Sequence, residues 1–464
     1  MSEAIAYSTI RELGARYRKR ELSPVEVTRA LLDRIAKLDT TLHTFVTVTP
    51  DRALADARAA EELLRRGDDR PLLGIPIGHK DIYCTRGIRT TGGSALLADW
   101  VPEVESTCAR RWQDAGTVLL GKLITHEFAM GLQFPGHRFP PARNPWNVNH
   151  IPGGSSSGSG AALAAGLCYG ALGSDTGGSI RTPVSHCGVV GIKPTYGRVS
   201  RYGVIPLSWS LDHAGPMARS VEDCALLLQA IAGHDPRDPA CTDVAVPDFR
   251  ATLKDGIQGL RIGVPRTGWF DENLGISLET EAAFNEALKI LESLGAAIVE
   301  LDGTPFSVTR KANQTILVCE AYAYHEKTYQ ETPLKFGASV RRRMLEGAFL
   351  SAVDYITAQR ARSVLNERIC ANFARVDFFA VPGAPRPPEA FASMDPNEQN
   401  LRPSFTNPFN LTGLPALCFP CGFTEGNLPS GLQIVAPPFE EVTCFRVGYA
   451  YEQATDWHQR RPAL

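Results

Sequence analysis

No stretch of this 464-residue sequence is apolar for long enough to cross a bilayer; the longest nearly apolar run, Ala161 to Gly173, is too short and is interrupted by glycine. Nor is the N-terminal segment expected to be a secretory leader. Residues Met1 to Arg20 carry Glu3, Arg11, Glu12, Arg16, Arg18, Lys19 and Arg20 and have no continuous apolar centre. Charge of one sign is not in excess, with 48 Lys and Arg against 50 Asp and Glu, so there is no overall field to gather phosphates or anionic lipid. Neither nucleic acid nor membrane is an expected partner, and a soluble cytoplasmic protein is expected.

Metal-ligand spacing is also lacking. The ten histidines form no H-E-x-x-H pattern, and the eleven cysteines lie singly from Cys84 to Cys444, apart from Cys418 and Cys421 in an apolar, strand-like run. Buried thiols are the expectation, with no cofactor and no metal. The phosphate-binding G-x-x-x-x-G-K-[ST] loop is absent.

What is present alternates. Ser23-Pro-Val-Glu26 supplies an N-cap, an N1 proline and an N3 glutamate, and Val27, Leu31, Leu32 and Ile35 then share one helical face. Helices are predicted over 53–66, 105–115, 221–232, 281–294 and 353–374. Strand-like runs are predicted at 74–77, 117–120, 260–264, 297–301, 378–381 and 432–435, several of them bounded by Gly or Pro. The pattern predicts an α/β fold with helices on both faces of a mixed sheet. Length alone would allow about three domains, and the Pro- and Asp-rich segment 233–256 reads as a long surface connection or a subdomain boundary.

The composition turns unusual at Ile151-Pro-Gly-Gly-Ser-Ser-Ser-Gly-Ser-Gly160, which feeds directly into the helix-forming Ala161 to Ala165. A flexible linker would not do so, and a nucleophile elbow on Gly154 to Gly158 would need a preceding strand that 147–152 does not provide. A second cluster follows at Gly173-Ser-Asp-Thr-Gly-Gly-Ser-Ile-Arg181. Consecutive glycines there allow backbone N–H groups to approach a ligand, so Ser179 is a candidate nucleophile, with Thr176, Gly177, Gly178 and Ser179 itself as candidate oxyanion donors. A tight turn is an equal reading of the same glycines.

Three blocks, Gly153-Gly-Ser-Ser-Ser-Gly-Ser-Gly160, Leu172-Gly-Ser-Asp-Thr-Gly-Gly-Ser-Ile-Arg-Thr-Pro183 and Cys187-Gly-Val-Val-Gly-Ile-Lys-Pro-Thr-Tyr-Gly-Arg198, resemble the signature segment of the amidase signature family. Gly74-Ile-Pro-Ile-Gly-His-Lys-Asp81, Thr91-Gly-Gly-Ser94, Ser210-Leu-Asp-His-Ala-Gly-Pro216, Asn410-Leu-Thr-Gly-Leu-Pro415 and Pro429-Ser-Gly-Leu-Gln433 extend the resemblance over nearly the whole chain. It implies a single domain over 1–464, with a signature core at about 72–216 and one large mixed sheet enclosed by helices. It also implies a relay of Lys80, a cis-peptide serine at Ser155 and the nucleophile Ser179, acting on a small-molecule amide. Two departures stand out: the family's Gly-Gly-Ser-Ser-Gly-Gly-Ser is altered here by Ser157 and by a shifted Ser159.

Without a histidine base, a lysine must accept the proton, and to do so it must be neutral. An ordinary lysine is neutral at pH 7 only about 4 times in ten thousand, a penalty of roughly 4.6 kcal/mol, so Lys80 should be desolvated, and Asp81 must point elsewhere. Ser156, Asp175 and Arg181 are expected to support the site without joining the chemistry; Lys193 and Arg198 receive no catalytic role. Met130 and Gly131 are expected to bind substrate, along with Leu132 and the stretch before Leu211. Phe134, Phe139, Trp209 and Phe405 hint at an aromatic or apolar substrate group, including anilides, aryl carbamates and esters. Arg341 to Arg343 could meet a substrate carboxylate but read more simply as a solvated helix face.

The family also includes the glutamine-hydrolysing A subunit of tRNA-dependent amidotransferases, which Thr195-Tyr-Gly-Arg-Val-Ser-Arg-Tyr-Gly203 resembles. Against it, Thr125-His-Glu-Phe-Ala-Met-Gly-Leu-Gln-Phe134 departs from the Met-Asp-Glu-Phe-Ala-Met-Gly-Ser-Ser-Thr-Glu run of that protein. A free-standing amidase is the first expectation, with the amidotransferase component as the alternative. A homodimer is left open.

Overall fold

In the computed structural model, residues 3–133, 137–270, 275–394 and 404–464 are described. The predicted cap forms at Ser23, whose hydroxyl accepts from the N–H groups of Val25 and Glu26 and opens the helix Pro24–Leu42. Val27, Leu31 and Ile35 of that helix are buried.

The strands are β1 (Phe45–Val48), β2 (Pro76–Lys80), β3 (Val118–Leu123), β4 (Gly170–Asp175), β5 (Val190–Lys193), β6 (His213–Ala218), β7 (Arg261–Thr267), β8 (Ala297–Asp302), β9 (Phe378–Pro382), β10 (Ala416–Phe423) and β11 (Pro429–Val435). Among the described residues they form one sheet, in the order β1-β3-β2-β4-β6-β5-β10-β11-β9-β7-β8. The sheet is mixed: β2 runs parallel to β3 and β4, and β7 parallel to β8 and β9, while the strands between β4 and β9 pair antiparallel. Every residue of β2, β3, β4, β5, β6, β9 and β11 is buried, which requires cover on both faces. The edge strands β1 and β8 are partly exposed. The α/β reading of the sequence therefore holds.

Segment 233–256 contains no helix or strand and is strapped to the body. Thr242 N–H donates to the Gly197 carbonyl (2.9 Å), Arg198 reaches the Ala245 carbonyl (2.9 Å), and Phe249 is fully buried. Nine of the eleven cysteines are buried and all are unpaired, in line with the expectation of core thiols. No helix among the described residues is long and apolar enough to cross a membrane.

Candidate active site

Lys80 ends β2, a central strand, and its side chain is fully buried. Its Nζ lies 2.8 Å from Ser155 Oγ, 2.9 Å from Ser156 Oγ and 2.8 Å from Ser174 Oγ, the last carried by the neighbouring strand β4. Three hydroxyls match the three N–H donors of an ammonium, and when the amine is neutral its lone pair can accept from one of them. Burial lowers the Lys80 pKa to about 7, against the opposing pull of Asp175 and Asp212. Lys80 is therefore desolvated and titrates near neutrality. Asp81 does point elsewhere: its carboxylate accepts from the Thr91 N–H and hydroxyl and faces the buried Lys122 amine at 3.5 Å.

The Gly154–Ser155 peptide bond is cis. The Ser155 carbonyl accepts from the His126 N–H and the Thr125 hydroxyl, both at 3.1 Å, which fixes the loop from behind. Directly after it, Ser157–Ala164 forms a fully buried helix. The two departures in this block have different surroundings: the Ser159 hydroxyl donates to the Leu172 carbonyl of β4 (2.8 Å), whereas the buried Ser157 hydroxyl has no partner among the described residues.

The loop after β4 is shaped by one ion pair. Asp175 and Arg181 are both fully buried, with Arg181 Nη2 2.8 Å from Asp175 Oδ1 and Nε 3.0 Å from Oδ2. Arg181 also donates to the Thr406 carbonyl, Gln433 and Asn410, and Asn410 donates back to Asp175, so the charges are enclosed by partners. Burial would by itself raise the Asp175 pKa; the Arg181 charge and hydrogen bonds outweigh it and hold the carboxyl well below the usual range. Asp175 further accepts from the N–H groups of Gly178 (2.8 Å) and Ile180 (3.0 Å). That corrects one expectation: the Gly178 N–H is committed to the Asp175 carboxylate and shapes the turn instead of facing a ligand. The Ser156 N–H donates to the Ser179 carbonyl (3.2 Å), tying the two serine loops together.

Ser155, Thr176, Gly177 and Ser179 open onto one cavity of about 260 Å³, which Gly131, Leu132 and Leu207 also line. Met130 does not line it; that side chain is buried in the hydrophobic core, because the turn over 127–129 directs it inward. The aromatic expectation also changes. Phe405 is fully buried against Trp269 and Phe270, and Trp209 borders a separate cavity. Phe134 lies outside the described residues; among the described residues Phe139 does not line the cavity and Phe391 does.

The larger surprise is polarity. His126, Gln133, Asn313, Gln314 and Asn407 line the cavity, and so does Arg343, whose Nη2 donates to Gln314 Oε1 (3.0 Å). Arg343 is therefore no part of a solvated face. In the helix Ala338–Phe349 it lies three residues after Val340 and four before Gly347, both buried, and this helical spacing was the available signal. His126 Nδ1 lies 2.8 Å from the Gly131 carbonyl oxygen and donates to it, and burial lowers the ring's pKa to about 4, so it is neutral. Among the described residues no three His, Cys, Asp or Glu side chains gather as metal ligands would.

A family model described as Amidase matches residues 26–445. The A subunit of glutamyl-tRNA(Gln) amidotransferase from Moorella thermoacetica is 42% identical, covering 99% of this chain and 99% of its own. Among solved structures, a chain from work described as "An unexpected vestigial protein complex reveals the evolutionary origins of an s-triazine catabolic enzyme" superposes with a TM-score of 0.90 at 33% identity, covering 98% of this chain and 100% of its own. Native peptide amidase from Stenotrophomonas maltophilia superposes with a TM-score of 0.83 at 32% identity, covering 98% of each chain.

Proposed function

The chain belongs to the amidase signature family, and on that premise we propose that it hydrolyses a carboxamide C–N bond through an acyl-enzyme on Ser179. Ser179 Oγ attacks the carbonyl carbon and passes its proton to Ser155, whose own proton moves to the neutral Lys80 amine. The tetrahedral oxyanion is held by N–H groups of the Thr176–Ser179 loop, with Gly178 serving the turn. Collapse expels the amine, which takes the proton back along the same path. Water then repeats the cycle on the ester and releases the acid.

One observation carries this reading: a buried lysine, lowered to about pH 7, whose hydrogen-bond neighbours among the described residues are three serine hydroxyls and no carboxylate. A charged partner would keep the amine protonated. Hydroxyls leave it able to act as a base.

For substrate and setting, the relatives favour the alternative of the two sequence expectations. Identity of 42% over 99% of the chain to the A subunit of an amidotransferase supports a glutamine-hydrolysing component that works with partner proteins. Arg343 supports it as well, since a buried cation facing the cavity suits a substrate carboxylate, and glutamine has one. A free-standing amidase is the second reading, supported by the departures within 125–134 and by the likeness to peptide amidase.

The deciding experiment compares the purified chain alone and with candidate partner proteins on L-glutamine and on an aryl amide. Glutaminase activity that appears only with partners favours the amidotransferase reading. Turnover of simple amides by the chain alone favours the free-standing enzyme, and no turnover in any arm sinks amide hydrolysis itself.

A further inference from the structure

The cavity contains polar groups that the relay does not use. Gln133 is only 3% exposed, lines the cavity beside Gly131 and Leu132, and among the described residues has no hydrogen-bond partner at either Oε1 or Nε2. Gln314 Nε2 and Arg343 Nε, on two helices that border the same cavity, are also buried and unpartnered. Buried polar atoms are nearly always paired, so three incomplete side chains around one space mark a place where a ligand's own polar atoms complete the set.

We propose that Gln133 is a specificity-determining residue that reads the end of the substrate remote from the scissile amide. A primary carboxamide offers one acceptor and two donors from a single plane. Its natural complement is a group that presents a donor and an acceptor side by side: a second carboxamide, a ureido group, or the ammonium and carboxylate of an amino acid. An alkyl end would leave Oε1 and Nε2 buried and unpaired, and sites built to hydrogen-bond a substrate discriminate strongly against analogues that lack the bonding group. Gln133 also falls inside the 125–134 run, where the amidotransferase pattern carries serine. The inference rests on amide hydrolysis at Ser179 and adds the chemistry of the substrate's far end.

The test measures kcat/KM for L-glutamine, succinamide and pentanamide with the wild-type protein and with Gln133→Leu. Succinamide and pentanamide differ only at the far end. The wild type should prefer succinamide or L-glutamine over pentanamide by at least about tenfold, and Gln133→Leu should shrink that ratio toward one, chiefly through KM. The better of the two polar substrates tells whether the far end is neutral or zwitterionic. Gln133→Glu, close to isosteric, guards against misfolding of the leucine variant, and it should harm L-glutamine more than succinamide by repelling the carboxylate. A ratio unchanged in both variants, or no preference in the wild type, overturns the proposal. If none of the three probes is turned over, their binding to Ser179→Ala by calorimetry decides: weakening of about tenfold on adding Gln133→Leu supports the role of Gln133, equal binding or none refutes it, and the missing turnover counts against the relay.

Discussion

Lys80 and Asp81 are adjacent in the chain yet end in separate buried compartments, the amine among three serine hydroxyls and the carboxylate against Thr91 and Lys122. Successive residues at the end of a strand point to opposite sides, and this alternation keeps the nearest carboxylate away from the amine. Lys122, 3.5 Å from Asp81, takes up that charge instead.

The proton state of Lys80 should be visible in the pH profile. Burial lowers its pKa from the ordinary lysine range to about 7, so the amine loses its proton as pH rises through 7. kcat/KM for a neutral amide should therefore climb along a limb centred near pH 7 and be lost below it, as rates measured from pH 5 to 9 would show. A flat profile across that window would contradict a lysine base.

Ser179→Ala should abolish turnover without altering thermal unfolding, and a fluorophosphonate should leave its phosphonyl group on wild-type Ser179, with loss of fluoride, and not on the variant. Lys80→Ala should lower amide hydrolysis by several orders of magnitude, because the proton path is cut while the nucleophile remains. Retained turnover in either variant would exclude the relay.

Arg181→Leu should destabilise the fold by about 3–5 kcal/mol, since Asp175 would keep its burial and lose its counter-charge. Denaturant unfolding would measure this, with Ser179→Ala as the neutral comparison.

Gly154→Ala should cost at least about tenfold in kcat, because an added Cβ would clash with the His126 ring at Cε1. That ring is bonded to the Gly131 carbonyl and has little room to yield. Loop displacement would carry Ser155 with it. Activity equal to wild type would show that the loop tolerates the shift.

Arg343→Gln should raise KM for carboxylate-bearing amides about tenfold more than for pentanamide, as steady-state kinetics on the matched pair of succinamate and pentanamide would reveal. Equal effects on both would leave Arg343 with a packing role only.

The layered α/β class was legible because its outer elements obey simple periodicities: the Ser23 cap, the Phe284, Leu288 and Leu291 stripe, and apolar runs such as Leu260 to Val264. The central strands β4, β5 and β6 were not predicted as strands. Gly170-Ala-Leu-Gly-Ser-Asp175 has poor strand propensity, and its glycines make sense only when neighbours are known: a Cβ at Gly173 would meet Ile180 and Met217 at about 3 Å.

The serines and lysine of the proposed relay could be named from local motifs because the glycine–serine blocks that hold them are contiguous in sequence. The cavity walls could not. Gln133, Gln314, Arg343 and Asn407 come from separate stretches of the chain, and which side of a helix or loop faces the cavity is fixed only when the elements pack; Met130 turned into the core and Arg343 out of solvent for that reason. The amino-acid order thus determined the layered fold and pointed to the proposed reacting groups. Tertiary packing alone decided how dry the lysine is, which amides of the loop after β4 are already taken, and which polar side chains line the cavity, because each of these depends on distances between residues far apart in the chain.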